Sequence, residues 1–171
     1  MKYLELEGIN QIAGDLLRIE ETVKGLNIRL EAYSLKKTRK ERKDSKSSKY
    51  LSIASMVAAA LNMTFFEYEI DLAQKDMKVV PEVEAKSLLT SKMFTLGITK
   101  DYSEMVQWVD RVFEGTKTAT GKDRKILRLN KPIGPFERSL WSECLVFYGR
   151  EMKRIILFVT LYQKNTHSPN L

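Results

Sequence analysis

The sequence has little cysteine, histidine, proline or glycine. It contains one cysteine, one histidine, four prolines and eight glycines in 171 residues. A single cysteine excludes an internal disulfide and agrees with a reducing compartment. One histidine and one cysteine are also too few for the usual zinc sites, and the histidine, His167, lies four residues from the C-terminus, where we do not expect a Ser/His/Asp or Cys/His site. We therefore expect a protein that is not an enzyme and that uses no metal, cofactor or small-molecule substrate.

Long apolar runs are also missing. The longest on a predicted helix, from Ile53 to Leu61, is far short of the about 20 residues that a membrane span requires. The first five residues, Met1 to Glu5, lack the apolar segment of a signal peptide. These features favour a soluble intracellular protein without a membrane partner.

Charge is abundant and unbalanced. The chain has 29 basic and 22 acidic residues, a net charge of +7. This balance favours an acidic partner, which could be nucleic acid, an acidic protein surface or anionic lipid, and charge alone does not choose among them. The length and the 43% hydrophobic content fit one globular domain over residues 1–171, with a flexible tail at 163–171.

Four segments show the three-and-four spacing of amphipathic helices. The residues expected to begin or end them are Gly25 at the end of the first, Ser47 or Ser48 at the start of the second, Pro81 at the start of the third, and Asp101 and Gly115 at the start and end of the fourth. The loop that would follow Gly115 is polar from residue 116 to 123.

Strands are predicted mainly near the C-terminal end. Residues 26–33 and 125–130 alternate between apolar and polar, with Tyr33 on the exposed side of the first strand. From Leu140 to Leu161 two apolar runs meet at Gly149, which suits a two-residue type II′ turn with Arg150. The run 155–159 is apolar at every position, as in a strand covered on both faces.

This order of elements lacks a regular βαβ alternation. We therefore predict an α+β fold, in which an antiparallel sheet of about four or five strands packs with about four helices as an α/β sandwich. Cys144 lies beside apolar residues of a predicted strand and is expected to be a small buried hydrophobe.

The basic run is the strongest feature outside the predicted core. Six cations lie within eight positions: Lys36, Lys37, Arg39, Lys40, Arg42 and Lys43. They belong to a stretch without apolar residues, 36–49, which we expect to be a short mobile loop. The run fits three alternatives: a solubilising loop, a nuclear-import signal, or a nucleic-acid contact without aromatic residues for stacking.

The same loop offers candidate phosphorylation sites. Ser45 follows Arg42 and Lys43 in the basic-basic-x-Ser form that basophilic kinases prefer, and Ser47 and Ser48 lie close by. Because each phosphate adds about −1.5 to −2 charges, two modifications would nearly cancel the local positive charge.

Two other groups of charges are candidate partner contacts. Glu67 and Glu69 lie two residues apart on a segment predicted to be extended, where a solvated acidic rim is a better interpretation than a general acid and base. The second group lies where the predicted hairpin turns. The partner-binding candidates are Glu67, Tyr68, Glu69, Arg150, Lys153 and Arg154.

The hairpin also resembles the C-terminal signature of a known family. The matching residues are Leu140, Trp141, Ser142, Phe147, Tyr148, Lys153, Arg154, Ile155 and Phe158. Residues 30–34, with Lys36 and Thr38, are similar to the family's first signature segment, and Met1, Lys2, Leu4 and Glu5 are similar to its opening. Its middle segment is loosely followed by Lys49 with Leu51, by Leu61 and Asn62, and by Tyr68 to Ile70. The family is the eukaryotic Maf repressor of RNA polymerase III, and the loop at 36–49 is shorter than the mobile insertion that the family usually carries there.

The resemblance implies a function. It implies a single sandwich domain that binds RNA polymerase III, keeps its initiation factor from engaging, and so represses small-RNA synthesis under stress. It also implies a protein of the nucleus and cytoplasm, with an import receptor and a protein kinase as further partners and nucleic acid as an indirect partner at most. The alternative is a basic module that contacts DNA or structured RNA directly through residues 36–43.

Overall fold

The computed structural model describes residues 1–36 and 52–163 of the chain. In chain order the elements are β1 (Lys2–Leu4), α1 (Glu7–Thr22), β2 (Leu26–Ser34), α2 (Ile53–Thr64), β3 (Met77–Val79), α3 (Glu82–Thr95), α4 (Tyr102–Thr120), β4 (Lys125–Leu129), β5 (Trp141–Gly149) and β6 (Arg154–Tyr162). Two short 3-10 segments, Gln74–Asp76 and Gly134–Arg138, precede β3 and β5.

The strands form one antiparallel sheet. Its order is β1-β2-β6-β5-β4-β3, and its two faces bear different helices. Helices α1, α3 and α4 pack on one face, and α2 packs on the other. The predicted α+β sandwich with four helices is confirmed, but the sheet has six strands instead of four or five. The two extra strands, β1 and β3, are three residues long, too short to show an alternating pattern.

Strand β6 lies in the interior of the sheet and is covered on both sides. Its residues Ile156 and Phe158 belong to the core under α1, α3 and α4, and Ile155, Leu157 and Val159 belong to the core under α2. All five side chains are fully buried. The uninterrupted apolar run thus has the cause that the sequence predicts, because neither side of this strand meets water.

The predicted two-residue turn between β5 and β6 is wrong. Gly149 pairs with Arg154, so four residues, 150–153, connect the strands. Lys153 takes the positive φ, 50°, and its N–H donates to the Arg150 carbonyl at 3.2 Å. Gly149 is required for another reason: a Cβ there would lie 2.1 Å from the carbonyl oxygen of Thr120, where the end of α4 crosses the hairpin.

Helix α4 continues past Gly115, where the sequence predicted its end. It runs to Thr120, and Gly121 follows it with φ 95°. Thr116 and Thr120 are buried rather than part of a polar loop, since each hydroxyl donates to a backbone carbonyl of its own helix. Gly115 instead lies against α1, where a Cβ would be 2.3 Å from Ile12 Cδ1, so a larger residue would require the Ile12 side chain to move.

Two local predictions near α2 are also wrong. The helix is capped by Ser52, whose Oγ accepts the Ser55 N–H at 3.1 Å, and not by Ser47 or Ser48, which lie outside the described residues. Tyr33 is buried, because α2 covers the face of β2 that was expected to be exposed. Its hydroxyl donates to the Glu31 carboxylate at 2.6 Å, and burial, followed by this hydrogen bond, raises the pKa of Tyr33.

Candidate partner-binding surface

A sharp turn follows α2 and carries the predicted acidic rim. We call residues 65–70 the Phe66 turn. Phe65 is buried and packs edge to face against Phe136, with ring centroids 5.9 Å apart. The Tyr68 N–H donates to the Phe65 carbonyl at 3.0 Å, so Phe66 and Glu67 are the two central residues of the turn.

The far end of the Phe66 turn is held by Asn62 of α2. The Asn62 side chain accepts the Ile70 N–H at 2.7 Å and donates to the Ile70 carbonyl at 2.8 Å. Ile70 is itself buried, and both it and Tyr68 contact Gly134, where a Cβ would lie 3.3 to 3.4 Å from them. Because both ends of the turn are bonded and packed, its backbone is fixed before any partner binds.

The structure places the three predicted residues of this turn differently. Glu67 and Glu69 are exposed, whereas Tyr68 is half-buried and packs against the core under α2. Asp71 is exposed as well, and the extended stretch from 69 to 72 alternates between exposed carboxylates and buried Ile70 and Leu72. Within residues 1–36 and 52–163, none of the three carboxylates forms an ion pair.

Sequence reasoning missed the most exposed residue of this surface. The Phe66 side chain is 83% exposed, and Met63 on the last turn of α2 is 45% exposed. The two adjacent phenylalanines at the helix end were an available signal. Phe65 turns inward, and the turn that follows directs Phe66 outward.

The second predicted surface lies at the β5–β6 turn. Arg150 and Lys153 are exposed there, and the Lys153 carbonyl accepts the Leu35 N–H at 2.8 Å. Arg154 is half-buried, and its guanidinium donates from Nη1 to the Ala119 carbonyl at 3.0 Å. Arg154 therefore fastens the end of α4 to the hairpin, and Arg150 and Lys153 remain the accessible charges of this corner.

A buried carboxylate on β5 was not predicted. The Glu143 side chain is 1% exposed and receives two hydrogen bonds from Arg128, at 2.7 and 3.1 Å. Lys92 of α3 donates to the same carboxylate at 3.3 Å and lies over the Trp141 ring. Both Glu143 oxygens accept hydrogen bonds from cations, so the cluster joins α3 to the sheet. It does not have the arrangement of a catalytic general acid and base.

A second buried charge joins α3, α4 and β4. The Arg124 side chain is 2% exposed and lies 5.1 Å from the centroid of the Phe147 ring. It donates to the Phe113 carbonyl at 2.8 Å and to Glu82 at 3.0 Å. Burial lowers the pKa of Arg124, and the nearby Glu82 carboxylate opposes that shift.

The part of the chain that the structure describes shows neither a reactive thiol nor a metal site. Cys144 is buried, and burial raises the pKa of its thiol, as expected for a packing residue. No cluster of three or more His, Cys, Asp or Glu residues in this part is arranged to hold a metal ion. Nor does any helix in it have the length and apolarity needed to cross a bilayer.

The basic run falls almost entirely outside the described residues. Lys36 is exposed, and its N–H donates to Ser34 Oγ at 3.2 Å; Lys37, Arg39, Lys40, Arg42, Lys43, Ser45, Ser47 and Ser48 are not described. Of the seven net positive charges, five belong to residues 37–51 and one to residues 164–171. The described residues therefore carry a net charge of +1 and are close to neutral.

Comparisons with known proteins give relatives that match the chain over most of its length. No family model matches the chain. Two uncharacterised proteins of Encephalitozoon cuniculi (strain GB-M1) are each 24% identical to it over 163 residues, covering 92% of this chain and 95% of theirs.

Solved structures share its fold. Two crystal structures of citrus MAF1, in different space groups, match 88% of this chain with TM-scores of 0.65 and 0.63 at 18% and 21% sequence identity. The match covers 99% and 98% of the citrus chains. The chain thus has a MAF1-like fold.

Proposed function

We propose that this protein is a negative regulator of transcription by RNA polymerase III, which binds the polymerase and blocks engagement of the initiation factor. The observation that carries the proposal is the fold shared with citrus MAF1 over 88% of the chain. Three segments of this sequence that resemble the signature segments of the Maf repressor family, in the expected order, agree with it.

Two of those signature segments come together in space. Residues 30–34 lie on β2 and the C-terminal signature lies on β5 and β6, and β6 pairs with both β2 and β5. Leu30 is opposite Phe158, and both are buried. Most of these matching residues lie within the central strands of the sheet and support a common body shape. Leu140 and Lys153 are exposed, and Lys153 is also a candidate contact.

Repression by such a body is steric competition. It needs a rigid surface that occupies the position of another protein, and no catalytic step or cofactor. Cores on both faces of one sheet and the buried ion pairs of Arg124 and Glu143 favour rigidity. A transient interface of polar and aromatic contacts is sufficient for this mode of action. The candidate contacts are the Phe66 turn and the exposed charges of Arg150 and Lys153.

A binding experiment with purified RNA polymerase III tests the proposal. The full chain should bind the polymerase at physiological ionic strength, and it should bind duplex DNA weakly. The alternative, a nucleic-acid module acting through residues 36–43, predicts strong binding to duplex DNA at low salt, with an affinity that falls steeply as the salt concentration rises. Because residues 37–51 hold most of the net charge, replacing the six cations of the run with glutamine should abolish duplex binding but preserve polymerase binding.

We also propose that the protein is present in the nucleus and the cytoplasm, with the basic run as its import signal. The six-glutamine variant should then be depleted from the nucleus in fluorescence images of cells. Phosphorylation at Ser45, Ser47 or Ser48 should have the same effect by lowering the local charge. A phosphosite map in which these serines are unmodified would contradict the kinase part of this proposal.

A further inference from the structure

The Phe66 ring projects from the turn into solvent. Its side chain is 83% exposed, the largest value among the big hydrophobic residues that the structure describes. A single exposed apolar side chain is ordinary on a protein surface. Phe66 differs because the neighbouring Met63 is also exposed, and because the backbone that carries the ring is fixed.

That fixation comes from both ends of the turn. The Tyr68 N–H donates to the Phe65 carbonyl and closes the turn, and Ile70 is held by two hydrogen bonds with the Asn62 side chain, which accepts one and donates the other. A ring on a fixed backbone loses little conformational entropy when a partner covers it, so more of the energy of burial appears as affinity. Buried aromatic anchors of this kind dominate many protein interfaces.

The charges around the ring select the partner. Glu67, Glu69 and Asp71 follow it in the chain, all exposed and without an ion pair in the described part of the chain. Arg29 lies at the base of the turn, over the Phe65 ring, but its charge is paired with Glu31. Three carboxylates repel phosphate, so a nucleic-acid backbone or an anionic membrane is a poor fit here. A protein surface with Lys or Arg around an apolar hollow satisfies both the ring and the carboxylates.

We propose that the Phe66 turn is the anchor of this protein's partner interface, and that the Phe66 ring enters an apolar hollow lined by cations on the partner. The inference rests on the proposed function, so the partner is RNA polymerase III, and the complementary patch lies on the polymerase. The ring contributes most of the affinity, and the carboxylates contribute mainly to the association rate and its salt dependence.

The test of the ring compares Phe66→Ala with Val83→Ala. Val83 is 80% exposed on α3, which packs on the opposite face of the sheet, and is therefore a matched control. With purified full-length protein and purified RNA polymerase III, Phe66→Ala should raise the dissociation constant at least about tenfold, and Val83→Ala less than about twofold. Both variants should keep the wild-type melting temperature within about 2 °C.

The test of the carboxylates reverses two charges. The double variant Glu67→Lys with Glu69→Lys should slow association and flatten the salt dependence of binding. The control, Glu5→Lys with Glu21→Lys, makes the same change in net charge at exposed positions before and on α1. It should leave the association rate within about twofold of wild type.

Each outcome has a distinct meaning. Wild-type protein that fails to bind the polymerase overturns both the proposed function and this inference. Wild-type binding that Phe66→Ala leaves unchanged overturns the inference alone. Concentration-dependent self-association in sedimentation experiments that Phe66→Ala abolishes, with polymerase binding unchanged, would assign the turn to a second copy of the chain and also overturn the inference.

Discussion

Replacing Gly149 with alanine should destabilise this protein, whereas alanine at Gly8 or Gly14 of α1 would meet open space. Gly149 ends β5, where the last turn of α4 crosses the hairpin. An added Cβ would lie 2.1 Å from the Thr120 carbonyl oxygen and 2.8 Å from its carbonyl carbon. The neighbour is backbone, so no side-chain rotation relieves the contact.

The size of the effect follows from that distance. Ordinary contact for a Cβ begins near 3.4 Å, so the end of α4 and the hairpin must separate by about 1.3 Å. Overpacking of a core usually lowers the free energy of unfolding by about 1 to 3 kcal/mol. Because the neighbour here is backbone and cannot rotate away, we expect the upper end of this range, about 3 kcal/mol. In a domain of this size, that loss lowers the melting temperature by about 6 to 12 °C.

Gly14→Ala is the matched control. Gly14 is exposed in the middle of α1, and a Cβ there would meet no atom within 4 Å. Because alanine is the better helix former, this variant should be more stable by up to about 1 kcal/mol. Thermal unfolding followed by circular dichroism measures both changes. A Gly149→Ala protein that melts within about 2 °C of wild type would refute the described contact between α4 and the hairpin.

Three further changes test other parts of the structure. Arg124→Met should cost about 2 kcal/mol in urea unfolding, because it removes the hydrogen bonds to the Phe113 carbonyl and to Glu82; no loss would show that these bonds do not contribute to stability. Asn62→Ala should speed hydrogen exchange at the Ile70 amide by releasing the Phe66 turn, and unchanged exchange would argue against the anchoring. Burial raises the pKa of Cys144, so above the unfolded-state pKa of a thiol, about 8.5, unfolding releases a proton and stability falls as pH rises. Between about pH 9 and 11 the wild type should lose up to about 1.4 kcal/mol per pH unit more than Cys144→Ala, and parallel pH profiles would contradict this.

Much of the fold could be predicted because burial leaves a regular pattern in the sequence. The run Ile155 to Val159 indicated a strand covered on both faces, and that strand lies in the interior of the sheet between two cores. The stripe on α1 and the capping residue Asp101 of α4 were equally readable, and Asp101 accepts the Ser103 N–H at 2.8 Å. These features depend on residues close together in the chain.

The errors arose where distant segments meet. Gly115 and Gly149 look like a helix end and a turn residue, but each is there because another element approaches closely: Ile12 in one case and Thr120 in the other. Tyr33 was expected to be exposed, because the sequence does not reveal which face of β2 the helix α2 will cover. Tertiary packing determines the environment of all three residues, and the local sequence pattern could not predict it.

The candidate surface was half predicted. Charge identified the exposed Glu67 and Glu69, but Tyr68 is partly a packing residue and Arg154 is a tether to α4. Phe66 was missed because an apolar residue next to a helix is normally expected to be buried. Its exposure depends on the turn that Asn62 fixes, which involves residues eight positions apart.

The order of addition in a reconstituted transcription reaction tests the central claim most directly. If the protein acts by occupying the polymerase, adding it before the initiation factor should suppress synthesis from a transfer RNA gene, and adding it after the initiation complex has assembled should have little effect. Suppression that is equal in both orders, or no suppression at a saturating concentration, would contradict the account.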